Sequence, residues 1–134
     1  MNFFTGLLLT ALLWARSETP TLPVSMNEVV RSSMSQGDAN LLSDHFNESI
    51  ELIIDSEQVN FTKVEATHAE MILRSFFRKN PPRHFRYVHR GTSDNVQYSS
   101  GSYEANGQSY AVYVLMHKSA NQPYVIDAVH FRHA

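Results

Sequence analysis

The sequence predicts an α+β fold: two short helices, two short strands and a third helix, then an antiparallel sheet of about four strands packed on the three helices. Three observations predict it. Capping residues recur at helical spacing in the first half, Asn80-Pro81-Pro82 ends the helical half, and period-two alternation flanks Asn106-Gly107 in the second half.

Ser25 opens the first helix: Ser25 and Glu28 have capping-box spacing, and Val24 and Val29 occupy the positions of a hydrophobic staple. The helix runs to about Gln36, with Gly37 as its C′ residue. Asp38 then caps a short second helix carrying Leu41, Leu42 and Phe46 on or near its buried side. Residues 49–55 are rich in Ile and Leu and read as a strand, and residues 59–61 read as a brief one after the polar Ser56-Glu57-Gln58 turn. Thr62 and Glu65 repeat the capping-box spacing and open a third helix, whose Ala69, Ile72, Leu73, Phe76 and Phe77 form a broad apolar face. The two prolines stop it, because proline has no amide to donate and disfavours a helical predecessor.

The sheet strands are expected at residues 83–90, 96–105, 108–117 and 124–133. Asn106-Gly107 suits a two-residue type I′ turn, in which both central positions need φ > 0. With Ala105 paired to Gln108, Tyr103 faces Tyr110 and Ser100 faces Tyr113. Gly101 is the expected place for a bulge, which would exchange the faces beyond it.

The 134 residues suffice for one domain, and a balance of 43% hydrophobic and 18% charged residues supports a packed core. A formal charge of −2 gives no global field for nucleic acid or anionic lipid. The absence of cysteine excludes disulfides, thiol nucleophiles and zinc-thiolate sites. Residues 3–15 are apolar apart from Thr5, Gly6 and Thr10. That run is too short for a spanning helix, which takes about 20 residues, and suits a cleavable export signal. Ala15-Arg16-Ser17 offers cleavage after Ser17 or after Ala15, although no Lys or Arg precedes the apolar run. The expected organisation is a signal peptide at 1–17, an extended leader at 18–23 and a single domain at 24–134, exported to the periplasm or secreted, with no membrane span after cleavage.

The order of elements, together with Ile72-Leu73, Phe76-Phe77, Asn80-Pro81-Pro82, Phe85, Val88-His89, Val112-Tyr113 and Tyr124-Val125-Ile126, resembles the cone-shaped nuclear-transport-factor-2-like fold of the cystatin-like α+β superfamily. Within it the chain is similar to the exported bacterial domain-of-unknown-function family 4783. The resemblance implies a curved sheet, a ligand-binding cavity between sheet and helices, and possible homodimerisation through the sheet. It carries over no catalytic residue, and the fold alone selects no activity.

Residues 83–90 place Phe85, Tyr87 and His89 on one face by simple alternation, and the last strand's apolar alternation turns Val125, Asp127, Val129 and Phe131 inward. Tyr87, His89, Tyr113 and Asp127 are therefore the candidate cavity residues. A histidine beside a desolvated carboxylate is what general acid-base chemistry needs, with a tyrosine to hold a developing oxyanion. The bland account makes the tyrosines core and leaves His89 and Asp127 solvated. A basic cluster, Arg74, Arg78, Lys79, Arg83, Arg86 and Arg90, is explained by a helix C-terminus and an edge strand, and lacks aromatics spaced for base stacking. Seven histidines show no HExxH or similar chelating spacing, so neither metal nor cofactor is expected. The favoured reading is a non-catalytic binding module for a small ligand in the cavity or a protein partner on the sheet. The alternative is a small lyase or isomerase using His89 and Asp127.

Overall fold

The computed structural model describes residues 25–134. The expected signal, leader and Val24 of the staple lie outside these residues. Among them the order is α1 (Met26–Gln36), α2 (Ala39–Ser43), β1 (Phe46–Ile54), a 3-10 turn (Asp55–Glu57), β2 (Val59–Glu65), α3 (Ala66–Lys79), β3 (His84–Ser93), β4 (Val96–Ala105), β5 (Gln108–His117) and β6 (Val125–His133). No described helix is long and apolar enough to cross a membrane.

α1 starts and stops where its residues dictate. Ser25 is its N-cap, though its side chain makes no capping bond, and Glu28 pairs with Arg31 one turn on. Gly37 ends the helix at φ 66°, and its amide donates to the Ser33 carbonyl. The Asp38 carboxylate accepts from the Leu41 amide at 3.0 Å and so caps α2. Phe46 opens β1 instead of ending that helix.

The capping-box reading of Thr62 and Glu65 is corrected: both lie in β2, and α3 begins at Ala66. Tertiary pairing overrides the local signal, because Val64 pairs with Ile50 across the β1–β2 ladder and buries its side chain. The expectation of about four strands is also corrected. All six strands form one curved sheet in the order β2-β1-β6-β5-β4-β3. The junction is a parallel pairing of β1 with β6, and a parallel pair between distant segments leaves no turn signature in the sequence.

The β4–β5 hairpin has the expected register from Ala105–Gln108 to Val96–His117, with Asn106 at φ 55° and Gly107 at φ 73° in the turn. Its tip clamps the end of α3. Asn106 Nδ2 donates to the Lys79 carbonyl at 2.9 Å and to Asn80 Oδ1 at 3.2 Å, and the Tyr103 hydroxyl donates to the Asn80 carbonyl. These bonds satisfy carbonyl and side-chain groups that a helix end otherwise leaves open.

Helices and sheet meet over an aromatic core. Phe76 lies 4.6 Å from Phe131, 5.6 Å from Tyr110 and 5.9 Å from both Phe77 and Tyr103, ring centre to ring centre. Phe76, Tyr103 and Phe131 are buried completely or nearly so. Burial of such rings contributes more than any polar contact in the domain.

Candidate functional site

Two bulges decide which side chains share a face. In β3 the register steps from Tyr87–Gly101 to His89–Ser100, leaving Val88 as the extra residue. In β6 it steps from Met116–Ile126 to Leu115–Ala128, leaving Asp127 as the extra residue. One inserted residue exchanges inside for outside beyond it. Gly101 itself keeps an unbroken register with β5, so the bulge expected there sits instead on the opposing strand. A Cβ at Gly101 would come within 2.7 Å of the Phe85 ring and the Arg86 carbonyl oxygen, so glycine is required by that ring lying across it.

The expected convergence of His89, Asp127, Tyr87 and Tyr113 in an interior cavity is therefore corrected. Tyr87 faces the helices, where its hydroxyl donates to the Asn27 carbonyl at 2.6 Å. Its ring is flanked by the guanidinium carbons of Arg90 at 4.8 Å and Arg31 at 5.3 Å. Burial pushes its phenol up to about 12 despite those two cations. His89 is on the opposite, outer face, with Nε2 3.0 Å from the Tyr98 hydroxyl. Asp127 is also on the outer face, where it accepts from Asn47 Nδ2 at 3.1 Å and contacts His117 Nδ1. Tyr113 is there too, with its ring 5.5 Å from that of His130. β3 and β6 are three strand steps apart, roughly 14 Å, so His89 and Asp127 cannot act on one atom.

Between the sheet and the helices lies the aromatic cluster around Phe76. Two clefts open at the surface. One is lined by Arg83, His84, Glu104, Gln108 and Ser109 at the hairpin end of the sheet. Another lies between α2 and α3, lined by Asn40, Asp44, Glu70, Met71 and Arg74.

The bulges assemble an organised outer face. Register places Ile53, His130, Tyr113, Ser100 and His89 side by side in one row across five strands. The next row is Glu51, Ala128, Leu115, Tyr98 and Gly91, and the row on the other side is Arg132, Ala111, Ser102 and Arg86. His130 Nε2 lies 2.6 Å from Glu51 Oε1, and the Tyr98 ring lies across Gly91. The His117–Asp127 and His130–Glu51 pairs are the type of couple acid-base chemistry uses. They are fixed on an open sheet surface: the His117 and Asp127 side chains are 38% and 27% exposed. Of the basic cluster, Arg74 pairs with Glu70 one turn earlier on α3, and Lys79 reaches Glu57 in the 3-10 turn.

Sequence reasoning chose Tyr113 but missed His130, Tyr98 and Glu51, whose relation depends on the parallel β1–β6 pairing. It also missed His117, which meets Asp127 only because of the β6 bulge.

A family model described as a domain of unknown function (DUF4783) matches residues 27–132. Among solved structures, a DUF4783 protein of Bacteroides uniformis is 20% identical with a TM-score of 0.74, over 82% of this chain and 98% of that one. A second, from Bacteroides ovatus, is 20% identical with a TM-score of 0.72, over 84% and 96%. A putative ketosteroid isomerase of Parabacteroides distasonis is 11% identical with a TM-score of 0.59, over 81% and 85%. No curated protein matches the sequence. At these identities the likeness to solved structures is one of fold.

Proposed function

We propose that this chain, which belongs to the DUF4783 family, is an exported, non-catalytic recognition module that holds a protein partner on the outer face of its sheet. The observation that carries the reading is the row of His130, Tyr113, Ser100 and His89, bordered by Leu115 and Tyr98. Its centre is rich in Tyr, Ser and His and free of Lys, while Arg86, Arg132, Glu51 and Asp127 stand at its margins. That is the anatomy of a protein-recognition surface, with rigid amphipathic rings at the centre and charge at the rim. Support for export is the apolar run at residues 3–15. An acid-base enzyme built on His89 and Asp127 is disfavoured by their separation.

The reading is tested with a photoreactive phenylalanine analogue at position 113, at 98, or at the exposed Met71 on α3, in the cell that makes the protein. Discrete protein adducts at 113 and 98 and none at 71 are expected. Adducts at 71 alone, or none at any position, would overturn it.

A further inference from the structure

We infer that the free edge of β3 is a docking site for an extended acidic segment of another protein, which adds to the sheet as a further strand beyond β3. The inference concerns the edge of the sheet and does not rest on the rows of its outer face.

β3 ends the strand order and pairs only with β4. In an antiparallel ladder every second residue turns its amide and carbonyl away from the neighbouring strand, so one side of β3 carries polar backbone groups with no strand to meet. No turn or loop among the described residues bonds to the backbone of residues 84–93. The edge is ten residues long, roughly 33 Å at the usual rise. An added strand satisfies those groups through main-chain bonds, and the side chains that alternate on its two faces decide which sequence fits.

The charge on this edge is of one sign. β3 holds His84, Arg86, His89 and Arg90 with no Asp or Glu, and Arg83 precedes it. Arg74 and Lys79 on α3 have their acidic partners, whereas no ion pair among the described residues includes Arg83, Arg86 or Arg90. Both faces carry cations. His84, Arg86 and His89 lie on the outer side. Arg90 lies on the inner side against the Tyr87 ring, with Arg31 of α1, itself paired with Glu28, against the same ring. Between them Val88, the extra residue of the bulge, is 67% exposed. A strand laid along this edge meets cations on both faces and an aliphatic side chain at mid-length, which fits acidic residues placed around an apolar one.

The opposite edge of the sheet makes the contrast. β2 carries Lys63 and Glu65, one of each sign, and so has no charge to select by. Charges and a bulge also keep an edge from joining its own kind. That protection is served by charge of either sign and does not require one sign on both faces. Two β3 strands edge to edge would set cation against cation, so the residues that admit an acidic segment turn away a second copy of this strand.

The probes are two capped peptides about as long as β3, one of alternating Glu and Val and one of alternating Lys and Val. The measurement is amide hydrogen exchange of the full-length protein, read residue by residue by NMR, beside a binding isotherm for each peptide. The Glu-Val peptide is expected to bind and to slow exchange at alternate amides of residues 84–93, and the Lys-Val peptide to do neither. Arg86→Glu should weaken binding, and Arg86→Glu combined with Arg90→Glu should weaken it by at least about tenfold and admit the Lys-Val peptide. Lys63→Glu, the same reversal on β2, should leave binding unchanged. Circular dichroism confirms the fold of each variant, and Arg86→Gln repeats the test with Tyr87 and its flanking cations untouched. No slowed exchange at β3 with the Glu-Val peptide even at millimolar concentration, equal binding of both peptides, or binding unchanged by the double reversal would overturn the inference. So would binding without slowed exchange, which marks a charged patch for any polyanion, and so would edge amides already slow in the protein alone, which marks an edge covered within the chain. Adducts at positions 113 and 98 are a separate outcome and stand or fall without this one.

Discussion

At the scale of single residues, the division of this sheet into two faces depends on a few positions where the chain departs from simple alternation. Val88 and Asp127 are extra residues, and each reverses what strict period-two reading assigns to its neighbours. The glycines opposite aromatic rings are the counterpart: Phe85 covers Gly101 on the inner face and Tyr98 covers Gly91 on the outer. Gly101→Ala is expected to destabilise the domain by about 1–3 kcal/mol, since the Phe85 ring or the Arg86 carbonyl must move, and chemical denaturation of the two proteins measures it. The residue types were legible in the sequence, including the oddity of Gly101. Their faces were not, because a bulge is decided by pairing across two strands and alternation within one strand does not encode it.

At the scale of elements, local signals located what is locally determined. Gly37 ends α1, Asp38 caps α2, Asn80-Pro81-Pro82 ends α3, and Asn106-Gly107 sets the β4–β5 register. Local reading failed at the start of α3, where Thr62 and Glu65 imitate a cap while β2 pairing claims the segment. The hairpin tip has a second task, because Asn106 bonds both the Lys79 carbonyl and Asn80 and so ties the sheet to the helix. Asn106→Ala loses those bonds and also forces a β-carbon residue without a polar side chain into φ 55°. The expected cost is about 1–3 kcal/mol. Asn106→Gly, which relieves the backbone but not the bonds, should recover part of it, and paired thermal melts of the two variants separate the contributions.

At the scale of the whole molecule, the curved six-stranded sheet presents two differently composed sides. The inner side is closed by Phe76, Tyr103, Tyr110 and Phe131, which are committed to stability. The outer side carries the organised rows that the core does not use. The sequence made the α+β class, the family resemblance and most element positions legible. It left hidden that β1 joins β6, and with that pairing the alignment of Glu51, His130, Tyr113, Ser100 and His89 was hidden as well. The central claim is that recognition belongs to the outer face. Native mass spectrometry of the protein purified from its own source tests it most directly. The account predicts a polypeptide free of stoichiometric small molecules, in a protein assembly that Tyr113→Arg dissociates. A small molecule bound in stoichiometric amount, and retained unchanged by the Tyr113→Arg variant, would contradict it.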